Sequence, residues 1–118
     1  MSHNRNSQRR LLRAHERIAE IRQQIEAIDY ACSGTLLTRM KLCGKASCRC
    51  ARDPKHRHGP YYEWNRLLKG RLVHRVVSPG EVRFLRRAIA NHRRVRRLLR
   101  RWEGETVRVL EAQKTEKD

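Results

Sequence analysis

Apolar residues recur between residues 7 and 29 as Leu11, Ala14, Ile18, Ile21, Ile25 and Ile28, at alternating steps of three and four. Residues so spaced share one helix face, so the pattern predicts a helix with a coiled-coil seam. Arg, Glu and Gln fill the intervening positions, and Asp29 with Ser33-Gly34 offers an exit. A second helix is predicted from "SPGEV": Ser78 suits the N-cap, Pro79 the first helical position, and Glu81 the returning arm of a capping box. Its seam reads Leu85, Ala88, His92, Val95, Leu99 and Trp102. Gly104 is expected to end or kink this helix, since a mid-helix glycine costs about 1 kcal/mol relative to alanine. "ETVRVLEAQK" then resumes as a short helix before a frayed "TEKD" end. His92, inside the seam, reads as a buried or register-setting polar residue.

The middle of the chain changes period. "GTLLTRMKL" (34–42), "PYYEWNRLL" (60–68) and "RLVHRVV" (71–77) are short, rich in β-formers and bounded by Gly or Pro, which predicts three strands. "LKGR" is a tight turn with Gly70 at positive φ, making the last two strands a hairpin. Tyr62, Trp64, Arg66 and Leu68 would share one face of it, and Tyr61, Glu63, Asn65 and Leu67 the other. A face of Tyr, Trp and Arg can stack bases or fill a core, and in a chain so short of aromatics the core reading is preferred. The expected fold class is α+β. Two heptad-patterned helices pack as an antiparallel hairpin on a small three-stranded antiparallel sheet, with a zinc-knuckle-like loop. The expected layout is a single domain, 1–118, with a helix at 7–29, strands and cysteine loop within 34–77, a basic helix at 79–103 and a tail at 105–118. Complete seams on both helices make a homodimer through them as attractive as a monomer.

Composition sharpens this. In 118 residues only 38% are hydrophobic and 5% aromatic, so the core is limited and a metal or oligomerisation would help folding. Twenty-nine Lys and Arg against twelve Asp and Glu leave +17. The charge is uneven: +2 over residues 1–29, +9 over 30–80, +7 over 81–104 and −1 over 105–118. Such a surface repels itself unless a polyanion lies against it, so nucleic acid is the expected partner. A merely soluble protein is the plainer reading. An anionic membrane fits less well, because the basic stretches lack the apolar face of interfacial helices. No apolar run reaches the roughly twenty residues that cross a bilayer, and the polar "MSHNRNSQRR" start does not read as a secretory signal. A cytoplasmic, nucleoid-associated location is therefore expected. In a reducing cytosol the four cysteines would stay thiols, and a Cys48–Cys50 bridge would be strained.

"CGKASCRCARDPKHRHGPYYEW" carries the candidate chemistry. Cys43, Cys48, Cys50 and His58 stand at C-x4-C-x-C-x7-H spacing, a ligand set that suits a structural zinc ion in a closed tetrahedron. Lys45, Arg49 and Arg52 would favour the thiolates. His56 competes for the fourth position, with His58 favoured by the turn that follows it. Cys32 reads as a small buried hydrophobe beyond the first helix rather than a ligand. The plainer alternative is a loop of free cysteines. A catalytic zinc is disfavoured because no coordination position stays open. A nucleophilic cysteine is disfavoured because three close thiols resemble a ligand set.

"CGK" at 43–45, "CRCAR" at 48–52, "HGPYY" at 58–62, "KG" at 69–70 and the valine-rich strand after it resemble a family of small bacterial proteins of unknown function. The resemblance spans about residues 32–100. It implies a shared cysteine loop acting as a unit, a following long basic helix and a setting among mobile-element and phage-type genes. At fold level alone, basic strands followed by a helix are also similar to the three-stranded arm-binding domains of phage-type integrases.

The second helix carries nine arginines between Arg83 and Arg101, most of them off its seam. Only Glu81 and Glu103 are at hand on the same helix, and Glu16, Glu20 or Glu26 of the first helix could pair with a minority. The rest read as phosphate contacts. The expected nucleic-acid-binding set is Lys45, Arg49 and Arg52 by the cysteines, Arg66, Lys69, Arg71 and Arg75 on the hairpin, and Arg86, Arg93, Arg94, Arg97, Arg100 and Arg101 on the helix. The expectation is a non-enzymatic DNA-binding accessory or regulatory factor of a mobile element. RNA or ribonucleoprotein binding, and a coiled-coil adaptor for an acidic protein, are the alternatives. A small nuclease would want clustered carboxylates to hold magnesium, which the sequence lacks, and a catalytic zinc would find only Asp53 and Glu63 near the loop as a general base.

Overall fold

The hydrophobic periods resolve into two helices and three strands in a computed structural model, which describes residues 2–117, with side chains from 5 to 114. Helix α1 is Ser2–Glu26, strand β1 Thr35–Lys41, β2 His58–Leu68, β3 Arg71–Val77, and helix α2 Pro79–Lys117; two short 3-10 turns, Arg49–Ala51 and Pro54–His56, lie between β1 and β2. The class is α+β, with one antiparallel sheet ordered β1-β2-β3. The chain divides into two compact units. One comprises the residues through Tyr30 together with those from Asn91 onward, and the other is Ala31–Ala90.

In the sheet unit, the two-residue Lys69-Gly70 turn has φ of +52° and +79°, the primed-turn geometry whose twist matches a hairpin. The register places Leu36 opposite Trp64 and Trp64 opposite Arg75, while Thr38, Tyr62 and Val77 form the next row on the same face. Trp64 and Val77 from that face pack with Val82, Leu85 and Ile89 of α2, and Cys32, Leu36 and Tyr62 close the margin. Trp64 therefore belongs to the core, which is where the burial of about 200 Å² of aromatic surface is worth most. The N–H of Cys32 donates to the Ala88 carbonyl at 3.2 Å, and Ala88 is buried where the chain passes over it. The capping box forms in both directions, Ser78 N–H to Glu81 Oε1 at 3.0 Å and Glu81 N–H to Ser78 Oγ at 3.2 Å.

The other sheet face carries an unexpected burial. Glu63, on the central strand, is buried between Arg39 Nε at 3.1 Å and His74 Nδ1 at 2.9 Å from the flanking strands. Leu67, Leu72 and Val76 on the same face are exposed.

In the helical unit Ser7, Ala14 and Ile21 of α1 are buried, with Leu11 and Ile18 half-buried between them and Ile25 and Ile28 half-buried further along the chain. On α2 from Asn91 onward the buried or half-buried positions are Asn91, His92, Val95, Leu98, Trp102, Glu105, Val109 and Ala112. Two expectations are corrected here. Leu98, 3% exposed, takes the seam position expected of Leu99, which is 47% exposed. The run Val82-Leu85-Ile89 serves the sheet unit and the run from Asn91 serves the helical unit, so one continuous register cannot fit both. Gly104 neither ends nor kinks the helix into separate pieces; α2 continues through it to Lys117. The seam residues Trp102, Glu105, Val109 and Ala112 keep both sides of Gly104 packed, which outweighs about 1 kcal/mol of glycine penalty. The short helix expected to resume in the tail from 105 is thus a continuation of α2, and Asp118 lies outside the described residues.

Between the helices, Asn91 Nδ2 donates to Asp29 Oδ1 at 3.2 Å and to the Tyr30 carbonyl at 2.9 Å. Arg94 donates to Gln24 Oε1 at 3.3 Å, and Arg17 stands 3.6 Å from Glu105.

Candidate metal centre

The connection from β1 to β2 is too polar to hold itself by hydrophobic burial: from Leu42 to Arg57 only Cys50 is buried. Its order comes from local hydrogen bonds. Cys48 N–H donates to the Lys45 carbonyl, and Ala51 N–H to the Cys48 carbonyl, each at 3.1 Å, which winds Arg49–Ala51 into a 3-10 turn. Asp53 caps the next turn, accepting from Lys55 N–H at 3.0 Å.

Those turns bring Cys48 and Cys50 back onto Cys43 and the first residue of β2. Cys43 Sγ lies 3.4 Å from Cys50 Sγ, and the Cys43 N–H points to the same sulfur at 3.4 Å. Cys48 Sγ lies 3.2 Å from His58 Nε2. All four ligand atoms fall within 4.8 Å of one another. In a tetrahedron with metal–sulfur bonds of about 2.3 Å, ligand atoms stand about 3.8 Å apart, so this cluster needs only small adjustments to enclose an ion. The four residues picked out by spacing therefore form one group that could hold a metal ion.

His58 is placed by the sheet. It pairs with Lys41 at the end of β1, two residues before Cys43. The following Gly59 has φ of +137°, and a Cβ there would come within 2.8 Å of the Arg39 carbonyl and 2.9 Å of Met40 Sδ. Only glycine allows β1 to come this close, and the Gly59–Pro60 peptide is cis. The competing candidates lie elsewhere. His56 Nδ1 contacts Asp53 Oδ2 at 2.9 Å, and half-buried Cys32 packs against the Trp64 cluster.

The thiols differ. The Cys50 N–H, then His58 and the neighbouring thiols, pull the Cys48 thiol down to about 6. Cys50 moves up despite the Cys43 N–H bond that lowers it, because burial and the adjacent Cys43 and Cys48 sulfurs outweigh that bond. One proton must leave each thiol when a metal binds, and Cys48 gives its proton up most readily.

Lys45, Arg49 and Arg52 are exposed around the cysteines, and Lys69 and Arg71 at the hairpin tip. Arg86, Arg93, Arg97, Arg100 and Arg101 are exposed on α2. Three have partners. Arg66 stacks on Trp64, 4.2 Å from the ring centroid. Arg75 pairs with Glu81 at 2.9 Å. Arg94 holds Gln24.

Sequence reasoning passed over two carboxylates. The sequence groups Glu63 with Tyr61, Asn65 and Leu67 on one hairpin face; flanked there by Arg39 and His74 from the neighbouring strands, its carboxylate is covered. Glu105 was assigned to a tail, although it continues the three-four spacing from Leu98 and Trp102. Asp53 and Glu63, the carboxylates nearest the loop in sequence, are engaged with His56 and with Arg39 and His74 respectively. Among the described residues no helix is long and apolar enough to cross a membrane.

The chain belongs to the DUF6788 family, a domain of unknown function whose model matches residues 9–87. The match takes in most of α1, the whole sheet with its cysteine loop, and the start of α2; Arg93 to Arg101 lie beyond it. No curated protein and no solved structure matches the chain.

Proposed function

We propose that this DUF6788 chain is a non-enzymatic nucleic-acid-binding protein, DNA preferred over RNA, whose Cys43, Cys48, Cys50 and His58 hold a structural zinc ion. Three soft thiolates and one imidazole close a tetrahedron without an open position, the donor set of structural rather than catalytic zinc. The ion would take the place of a core in a loop where only Cys50 is buried.

The observation that carries the nucleic-acid reading is the exposure of all nine arginines of α2 from Arg83 to Arg101, while the apolar seam residues of the same helix turn inward. Guanidinium groups in such a row neutralise backbone phosphates and position a polyanion without reading its bases. The contacts Asp29–Asn91, Gln24–Arg94 and Arg17–Glu105 run in opposite order along the N-terminal segment and α2, which supports the antiparallel hairpin expected of the two heptad-patterned helices. A role as an accessory or regulatory factor of a mobile element, in the cytoplasm on the nucleoid, completes the reading.

Fluorescence anisotropy with labelled duplex DNA and hairpin RNA across a salt series tests it. Log K should fall against log salt with a slope of about −0.9 per phosphate neutralised. Replacing Arg93, Arg97 and Arg100 with Gln should weaken binding and flatten that slope. Affinity indifferent to salt would overturn the reading.

One observation favours the adaptor alternative. Leu99 and Leu110, three helical turns apart on one face of α2, are both exposed, an arrangement suited to a second helix or a second copy of the chain. Weak binding to both nucleic acids, together with a concentration-dependent dimer in sedimentation, would shift the reading there.

A further inference from the structure

In the helical unit, α1 and the C-terminal part of α2 leave a cleft of about 320 Å³ whose lining includes Arg10, Arg13, Arg17, Arg108 and Glu111. Arg10, Arg13 and Arg17 follow one another at steps of three and four, so they are neighbours on one face of α1. Like charges at that spacing repel, and anions standing against them relieve the repulsion. Glu105 supplies one. It is 5% exposed, its Oε2 stands 3.6 Å from Arg17 Nη1, and its Oε1 accepts from Arg108. A carboxylate so buried is tolerable because it lies between two guanidinium groups. Glu111, which also lines the cleft, carries the second carboxylate there.

Four guanidinium groups against two carboxylates leave an excess of two positive charges around one small cavity. Glu105 engages Arg17 and Arg108, and Arg10 and Arg13 are exposed at the same cleft. The volume is at the small end of ligand pockets. Planar guanidinium forks match the oxygens of a phosphate in pairs, and the excess charge equals that of one phosphate dianion.

We propose that this cleft is an oxyanion site that takes a phosphate group, with Arg10 and Arg13 as its principal contacts. The phosphate comes from a free phosphorylated compound or from a nucleic-acid backbone; in the second case the site extends the binding surface proposed above. Its residues are separate from Arg93, Arg97 and Arg100, so the two readings fail independently.

The test uses the 118-residue chain as purified, the double variant Arg10→Gln/Arg13→Gln, and the triple variant Arg93→Gln/Arg97→Gln/Arg100→Gln. Circular dichroism melts confirm that each folds. Inorganic pyrophosphate is titrated by calorimetry, and labelled duplex DNA by anisotropy. Loss of a charged hydrogen bond weakens binding by about tenfold or more. One pyrophosphate per chain, bound at least tenfold more weakly by the double variant and unchanged in the triple, identifies a site for free phosphorylated compounds. Without pyrophosphate binding, a DNA affinity at least tenfold lower in the double variant assigns the site to backbone phosphate. Identical behaviour of the wild type and the double variant toward both probes overturns the proposal.

Discussion

Cys48 Sγ stands 3.2 Å from His58 Nε2, ten residues further along the chain, and this contact ties the cysteine loop to the first residue of β2. Removing either side should release the metal. Metal content by plasma mass spectrometry should read one ion per chain in the wild type and close to none in Cys48→Ser and His58→Ala. His56→Ala should keep its ion, because the His56 ring faces Asp53 at 2.9 Å. Full metal retention in His58→Ala would remove this histidine from the ligand set.

The same contact sets a pH dependence. Hydrogen bonds from the Cys50 N–H and then His58 hold the Cys48 thiol at about 6. Its folded value lies below the unfolded one, so the stabilising contribution is complete above the unfolded value of 9.0 and is lost as pH falls through about 6. In the metal-free protein, alkylation of Cys48 followed by mass spectrometry should rise with pH around a midpoint near 6. Cys32, pushed up by burial, should react only at much higher pH. A Cys48 midpoint near that of a free thiol would contradict the hydrogen-bonding pattern.

Two glycines should respond in opposite directions to alanine. Gly34 has φ of +125°, and a Cβ there would stand 2.3 Å from Trp64 Nε1, the group that donates to the Ser33 carbonyl at 3.0 Å. Gly34→Ala combines backbone strain with a clash against a core residue and should cost about 3 kcal/mol. Gly104 lies mid-helix with nothing within 4 Å of its would-be Cβ, so Gly104→Ala should stabilise by about 1 kcal/mol. Urea denaturation followed by circular dichroism measures both. Destabilisation by Gly104→Ala would mean that the helix needs flexibility at that point.

The capping box offers a smaller, cleaner effect. Ser78→Ala removes the hydroxyl that accepts from Glu81 N–H and should cost about 1 kcal/mol in the same assay. An unchanged midpoint would show that Glu81, held by Ser78 N–H and Arg75, secures the helix start alone.

Much of this fold is legible in local chemistry. Gly and Pro punctuate the three strands, so their limits follow from where the backbone must turn. Ser78, Pro79 and Glu81 announce the start of α2, and the capping bonds form between those residues. Cys43, Cys48 and Cys50 are close in sequence, so local turns alone bring them together. The fourth member of the cluster, His58, was legible by its spacing, with His56 as a rival; the register of β2 against β1 separates them, because it pairs His58 with Lys41 beside Cys43.

What was misread depends on partners distant in sequence. Leu98 and Leu99 are equally apolar, and which one turns inward depends on the element facing that stretch of α2. Gly104 breaks a lone helix but not one packed on both sides of it. Trp64, by contrast, is core as its preferred reading has it, with Val82, Leu85 and Ile89 packed against it.

By itself the sequence determined the element order, the helix cap, the hairpin turn and the composition of the cysteine cluster, because these rest on interactions spanning a few residues. Only the tertiary structure decided which of two adjacent leucines is buried and which arginines have partners. It alone also buried Glu63 and Glu105, because a charge leaves water only where side chains from other elements surround and neutralise it.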